Sequence, residues 1–520
     1  MKGAHALMRT LVGAGVDVCF TNPGTSEMHF VAALDDVPEM RAVLGLFEGV
    51  VTGAADGYGR MAGRPAATLL HLGPGLGNGI ANLHNARRAR TPVVNVVGDH
   101  AVGHRRFDAP LQTDIESLAR PVSTWYRSSE DLASLAGDTA DAVAAARGAP
   151  GGVATLVVPA DLSWTDGAAV APPRPVPALR AVPADALEHA AKVLAGGEPA
   201  VVLLGGSAVR ARGLVAGSRV AAHRGAKLMA ETFPSVLERG AGLPAVERLA
   251  YLGEMVAEQL RGVRHLVLVE AGAPASFFAY PGTPGSLVPE GCEVHVLATP
   301  GDDGPGALEA LAEALGAPAD AAVLQPPARP DRPSGALNPV TAAAAVGALL
   351  PEDAIVSDEA NTSSLFLPGA TAGAPRHTWL SLTGGAIGQG MPVATGAAVA
   401  CPGRRVVSLE ADGSAMYTLQ SLWTQAREGL DVTTVVFNNG SYAILELELA
   451  RVGAQSAGPR ARDMLELDRP SLDFTALATG MGVPATRATT AEEFTTQLER
   501  ALATPGPCLV EAMVGRGLGL

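Results

Sequence analysis

The stretch from Val406 to Tyr442 constrains this chain more than any other. Val406-Val407-Ser408-Leu409 is a short β-branched run that ends at Glu410-Ala411-Asp412-Gly413-Ser414, and a second apolar run, Val432 to Phe437, ends at Asn438-Asn439-Gly440-Ser441-Tyr442. Between them Leu419, Leu422, Trp423 and Ala426 recur at helical spacing, which predicts a helix over Met416 to Glu428. Strand, helix and strand in this order form a parallel crossover. A right-handed crossover sets the carboxyl ends of both strands at one edge of the sheet, where open α/β sheets bind ligands. Asp412 and Asn439 therefore come together. One carboxylate, one amide oxygen and a backbone carbonyl near Ser441 make a hard, oxygen-only, incomplete shell, which suits Mg2+ when a phosphate supplies the remaining oxygens. Gly413 allows close backbone approach to a diphosphate, and the helix N-terminus at Ser414 adds donors. Either tripeptide alone reads as an ordinary turn. The pair, one crossover apart, is far more specific.

At 520 residues the chain is too long for one core. Pro-rich linkers at 172–183 and 326–339 divide it into an N-terminal domain of about 1–165, a central domain of 185–320 and a C-terminal domain of 337–520. Apolar runs alternate with helical segments throughout, giving an α/β chain built of doubly wound parallel sheets. A formal charge of −14 argues against nucleic acid or an anionic membrane as partner. No long uncharged apolar run spans a bilayer and no signal sequence opens the chain. Cys19, Cys292, Cys401 and Cys508 are scattered, without metal or CxxC spacing. A cytoplasmic protein is expected.

Several other residues stand at strand ends. Glu48 follows Val43-Leu44-Gly45-Leu46-Phe47 and opens a Gly/Ala-rich helix that must pack tightly. It is either a first-turn acid favoured by the helix dipole or a buried functional acid, and position alone does not separate the two. The turn Asn22-Pro23-Gly24-Thr25-Ser26 reads as a helix cap. His71 ends the run from Ala66 and precedes Gly73-Pro74-Gly75-Leu76-Gly77-Asn78-Gly79, expected as a loop. That segment is not GxGxxG and no acid follows at ribose-binding distance, so a dinucleotide site is disfavoured. Asn361 and Thr362 end another strand with groups able to hold a diphosphate, and Thr383 to Pro392 is a Gly-rich strand-to-helix turn.

The Ala411-Asp412-Gly413…Asn438-Asn439 pair resembles the Gly-Asp-Gly…Asn-Asn signature of thiamine diphosphate (ThDP) enzymes, with Ala411 in place of the leading glycine. Glu48 followed by Ala54-Ala55-Asp56-Gly57-Tyr58 is similar to the first-domain signature of the same family. Over its whole length the chain resembles the branch that contains acetolactate synthase and benzoylformate decarboxylase. The resemblance implies three domains, pyrimidine-binding, central and diphosphate-binding. Asp412, Asn439 and Ser441 would then hold Mg2+, with Asn361, Thr362, Gly413, Ser414 and Tyr442 around the diphosphate and Pro23 and Gly24 beside the cofactor. Glu48 would hydrogen-bond N1′ of the aminopyrimidine, favouring the tautomer whose N4′ removes the C2 proton. The carbonyl of Gly385 would bind that ring, and Ile387 would be the wedge that bends the cofactor.

By the same resemblance His71 gives or takes a proton at the substrate, Thr25 corresponds to an active-site serine of the decarboxylase, and Gln112 reaches toward the cofactor. Leu111 and Thr113 replace the residues that flank that glutamine in the synthases. The decarboxylase's second catalytic histidine has no counterpart, since Phe277, Phe278 and Ala279 fill that stretch. FAD binding in the central domain has no clear support. The implied activity is decarboxylation of a 2-keto acid, with aldehyde release or carboligation to a second carbonyl compound. The implied assembly is a homodimer or a dimer of dimers. Ser381 and Glu448 fall at pocket positions that are aromatic in the decarboxylase, so a more polar pocket is expected. Acyl-CoA or sulfonated donors would need basic residues not evident here, and a non-catalytic scaffold would have lost Glu48, Asp412 or Asn439.

Overall fold

Three sheets follow one another along the chain in a computed structural model, which describes residues 1–280, 282–452 and 458–516. The first is built from β1 (Val18–Asn22), β2 (Arg41–Leu44), β3 (Ala66–Leu70), β4 (Val93–Asp99), β5 (Trp125–Ser128) and β6 (Val153–Pro159) in the order β2-β1-β3-β4-β6-β5. All its pairings are parallel. β3, β4 and β6 are buried at every position. Their sequences are accordingly near-continuous Ala, Val and Leu, as strands covered by helices on both faces require.

The middle segment supplies β7 (Ala200–Leu204), β8 (Lys227–Ala230), β9 (Leu237–Arg239), β10 (Glu247–Arg248), β11 (His265–Val269) and β12 (Glu293–Ala298). The last segment supplies β13 (Ile355–Glu359), β14 (His377–Ser381), β15 (Val406–Ala411), β16 (Val432–Asn438), β17 (Ala485–Ala488) and β18 (Cys508–Met513). The central sheet runs β10-β8-β7-β11-β12 and the third runs β17-β18-β16-β15-β13-β14-β9. β9 thus leaves the central segment to pair antiparallel with β14, an exception to otherwise parallel sheets. The Arg239 guanidinium lies 5.2 Å from the centre of the Trp379 ring across that pairing, a cation–π contact that favours the exchange.

The first and third units meet through two helices, Glu48–Ala62 and Gly390–Ala400. A Cβ on Gly57 would lie 2.1 Å from the Val393 carbonyl oxygen, and one on Gly396 would lie 1.8 Å from that of Ala54. Only glycine lets the two backbones approach this closely. Polar groups then lock the crossing. Asp56 and Arg60 form a buried pair at 2.6 Å, Arg60 donates to the Ser381 carbonyl at 2.8 Å, and Gln389 Nε2 donates to Asp56 at 2.6 Å.

Two expected elements differ. The Gly-rich segment after His71 is not a loop but the start of the helix Leu72–Ala89. Its glycines are packing sites: a Cβ on Gly73 would strike Thr113 at 2.3 Å and one on Gly79 would strike Thr52 at 2.8 Å. Close contact overrides low helix propensity here. The helix expected over Met416 to Glu428 begins only at Ser421 and runs to Glu428, and a separate short helix, Asp412–Ala415, precedes it.

Candidate active site

The first cluster lies at the carboxyl ends of β1 and β3. Glu48 is the first residue of its helix and only 7% exposed. Asn22, the last residue of β1, donates to its Oε1 at 3.2 Å, and Asn78 donates to its Oε2 at 2.9 Å. The carboxyl group is therefore held from both sides by neutral amides. Beside it, His71 caps the next helix and is backed by Glu27, whose Oε2 lies 2.8 Å from His71 Nδ1. Glu27 is fully buried. It also accepts from the Gly24 amide at 2.9 Å and from Ser26 Oγ at 2.7 Å, so it acts as an acceptor on every side. Nδ1 of His71 then carries the hydrogen, and Nε2 is left to exchange a proton.

Pro23, Gly24 and Thr25 form the turn over this histidine. A Cβ on Gly24 would fall 2.2 Å from the His71 ring, which is why glycine stands there. Thr25 itself is exposed. Thr113 packs on Gly73, bringing the turn that carries Gln112 alongside; Gln112 Oε1 is buried without a donor.

The second cluster lies at the ends of β15 and β16. Asp412 is 1% exposed. Its Oδ2 accepts the backbone amides of Asn439 at 3.0 Å and Gly440 at 2.7 Å, and its Oδ1 accepts that of Gly413 at 2.8 Å. Burial pushes the Asp412 carboxyl above its usual range, while these amides pull it back. Among the described residues no Lys, Arg or His nitrogen lies within 4 Å of it. A carboxylate buried among backbone donors with no cationic partner is a seat for a cation. Asn439 Oδ1 accepts from the Ser441 amide at 2.9 Å, and Ser441 Oγ is turned away to Glu446 at 2.9 Å. Asp412, the Asn439 amide oxygen and the Ser441 carbonyl are thus an oxygen donor set that could hold Mg2+. Ser414 Oγ donates to the carbonyls of Ala411 at 3.0 Å and Glu359 at 3.3 Å. The Tyr442 ring covers Gly413, where a Cβ would come within 2.3 Å of it.

The turn with Gly385 and Ile387 is held between the helix Leu72–Ala89 and the end of β13. From one side, Asn85 Nδ2 donates to the Ala386 carbonyl at 2.8 Å and Asn82 Nδ2 to that of Gly388 at 3.1 Å. From the other, Glu359 accepts the amides of Gly388 at 2.8 Å, Gln389 at 3.3 Å and Gly390 at 2.7 Å. Glu359 faces Glu410 across β13 and β15. Burial, then the charge of Glu359, drives the Glu410 carboxyl far up, so Glu410 is the protonated member and Glu359 the carboxylate. Asn361 sits just beyond at φ 51°, its amide donating to the Glu359 carbonyl at 3.0 Å, with Thr362 next in the same turn.

Glu27, Asn22, Asn78 and Glu359 were not among the residues singled out by sequence. Asn78 offered a faint signal, as the only polar side chain between His71 and Ile80. Ser381 is buried, its Oγ without a partner. Glu448 bonds to Tyr280 and lies 3.4 Å from Arg451 in a recess shared with Tyr251, Phe277 and Phe278. Pro281 lies outside the described residues.

Glu48 and His71, and Asp412 and Asn439, fall within stretches that resemble domains of known proteins. The N-terminal TPP binding domain of thiamine pyrophosphate enzymes matches residues 1–119, and the C-terminal TPP binding domain matches residues 367–512. A Mycobacterium tuberculosis protein provisionally named acetolactate synthase large subunit IlvX is 60% identical over 515 residues, with 99% of each chain covered. Benzoylformate decarboxylase of Pseudomonas aeruginosa is 31% identical, with 98% of each chain covered. The solved structure of a ThDP-dependent 4-hydroxybenzoylformate decarboxylase from Rhodococcus jostii RHA1 superposes with a TM-score of 0.86 at 26% identity, covering 99% of both chains. Relatives aligned along the full length, and matches to both cofactor-binding domains, place the chain among the thiamine diphosphate-dependent enzymes related to acetolactate synthase and benzoylformate decarboxylase.

Proposed function

We propose that this chain binds ThDP with Mg2+ and decarboxylates a 2-keto acid, releasing an aldehyde or joining the acyl unit to a second carbonyl compound. The observation that carries this reading is the buried Asp412, held by backbone amides and without a cationic partner, beside Asn439 and Ser441. Bound there, the cofactor's thiazolium would supply the electron sink for loss of CO2. The chain's own groups do the rest. Asp412, Asn439 and the Ser441 carbonyl hold the ion, and Asn361, Thr362, Gly413, Ser414 and Tyr442 surround the diphosphate. Glu48, fixed by Asn22 and Asn78, offers a carboxyl oxygen to the aminopyrimidine. Gly385 and Ile387 would hold the ring end of the cofactor, and His71, oriented by Glu27, would move a proton at the substrate, with Thr25 and Gln112 alongside.

Among the described residues no hydrogen bond joins Glu48 to the Asp412 cluster. Both sites carry exposed apolar side chains: Leu46 beside Glu48, and Leu365, Met416, Tyr417 and Leu445 around the other. These support a homodimer in which each cofactor is shared between two copies. Glu448 and Arg451 make the recess beside Leu445 polar, favouring pyruvate-like or polar keto acids. The clustered rings of Tyr251 and Phe233, tilted and edge-on to Phe277 with centroids 5.0 and 5.4 Å from it, favour a second reading, an aromatic 2-keto acid. The test is a panel of pyruvate, 2-ketobutyrate and benzoylformate with ThDP and Mg2+, read for CO2 and, by mass spectrometry, for ligation products. Saturable cofactor binding without CO2 from any keto acid would defeat the proposal. Benzoylformate turned over as fast as pyruvate would defeat the substrate preference.

A further inference from the structure

Far along the chain from both cofactor clusters, the central sheet carries a group of imidazoles that the proposed chemistry does not use. In the parallel register of β11 and β12, His265 pairs with Glu293 and Val267 with His295. Side chains two apart on a strand share a face, so His265, Glu293 and His295 project together. His265 Nδ1 lies 3.1 Å from His295 Nε2, and the nearer Glu293 oxygen lies 4.0 Å from the first and 3.9 Å from the second. Among the described residues this is the one group of three or more His, Cys, Asp and Glu side chains whose donor atoms all fall within 4.8 Å of one another.

We propose that this face binds a divalent transition-metal ion of the Zn2+ class, ligated by His265 Nδ1, His295 Nε2 and the Glu293 carboxylate, with water completing a tetrahedral shell. Metal–ligand bonds of about 2.0–2.2 Å space tetrahedral ligand atoms about 3.3–3.6 Å apart. The three observed separations bracket that edge. The adjustment falls to Glu293, whose side chain is 72% exposed and free to swing. Exposure at Glu293 also leaves an entry path, while His295 is 8% exposed and fixed.

The outer partners fit the same assignment. His265 Nε2 lies 3.0 Å from the Glu198 carboxylate, and His295 Nδ1 lies 2.9 Å from His189 Nε2. Each ligand ring thus has its second nitrogen engaged, which fixes the ring plane and turns the remaining nitrogen to the ion. Two imidazoles and one carboxylate select Zn2+, Co2+ or Ni2+ over Mg2+, whereas the oxygen set at Asp412 selects the reverse. The ion would fasten the edge strand β12 to β11 and so consolidate the outer side of the central sheet.

The experiment is isothermal titration of the full-length, chelator-stripped protein with Zn2+ in excess Mg2+, followed by Co2+ absorption. One saturable Zn2+ per chain is expected, with the visible bands of four-coordinate Co2+. Asp412→Asn should leave this binding unchanged. Glu198→Gln should weaken it roughly 10- to 100-fold, Glu293→Gln should weaken it further, and the His265→Ala/His295→Ala double variant should abolish it. Should the double variant misfold, the two glutamate variants at exposed positions decide the matter. Absence of saturable binding, full affinity in Glu293→Gln, or loss of binding in Asp412→Asn would each overturn the assignment.

Discussion

Glu359 and Glu410 look interchangeable by sequence, two buried glutamates facing each other on neighbouring strands, yet they should respond oppositely to amide substitution. Glu359 is the acceptor of three backbone amides. In Glu359→Gln one oxygen becomes a donor, so the Gly390 amide, now bonded at 2.7 Å, is left buried and unsatisfied. That costs about 1–3 kcal/mol, and loss of the charge weakens each of the other two bonds by about 1 kcal/mol. A destabilisation of about 3–5 kcal/mol follows, centred on the turn that carries Gly385 and Ile387. Glu410 enters the pair as the neutral acid, with one oxygen accepting from Ser408 Oγ at 2.6 Å and the other without a donor. A glutamine there can keep the Ser408 bond and donate its NH2 to Glu359, for a change below about 1 kcal/mol.

Urea denaturation with parallel cofactor titration by circular dichroism measures both variants. Glu359→Gln should lose stability and cofactor affinity together, and Glu410→Gln should lose little of either. The pH dependence adds a sign. Both carboxyls are raised by burial, so the folded chain holds more protons than the unfolded one, and the pair's contribution falls as pH rises from about 4.3 through the raised values. Glu410→Gln should flatten that decline. An order of damage reversed between the two variants would refute the assignment of the shared proton and the reasoning with it.

Glu48→Gln should lower kcat/KM by roughly 10²- to 10⁴-fold while cofactor still binds, and steady-state kinetics showing a loss below tenfold would contradict its placement at the aminopyrimidine. Glu27→Gln should depress kcat more than it raises KM, with partial recovery in Glu27→Asp; an effect on KM alone would show that Glu27 does not act through His71. Gly396→Ala places a methyl 1.8 Å from the Ala54 carbonyl oxygen, a clash against backbone that should cost about 1–3 kcal/mol or more, visible as a lower urea midpoint. An unchanged midpoint would mean the helices are not held as tightly as drawn.

How much could be read beforehand depended on whether a signal was local. Asp412 and Asn439 stand at ends of apolar runs within one crossover, so a single stretch of chain displays both. Glu48 could be located as well, because a strand, a junction and a glycine-rich helix follow one another directly. Its partners could not: Asn22 reaches Glu48 only because β1 lies beside both β2 and β3, a fact of sheet order. Glu27 was hidden in the same way, since its role depends on His71 ending the neighbouring strand. The segment from Gly73 to Gly79 reads as a loop by composition, and becomes helix because Thr113 and Thr52 leave no room for larger residues. Leu237-Glu238-Arg239 carries no local mark at all of the sheet it joins.

That last short strand has an engineering consequence. Because β9 supplies the final ladder of the C-terminal sheet while its own flanks belong to the central one, the chain cannot be cut into independent modules at its second proline-rich linker. A C-terminal fragment would present β14 as a bare edge, with Trp379 and its neighbours open to any passing extended peptide. Such a truncation invites self-association, so a soluble fragment would have to carry Leu237–Arg239 in cis or be offered it as a peptide.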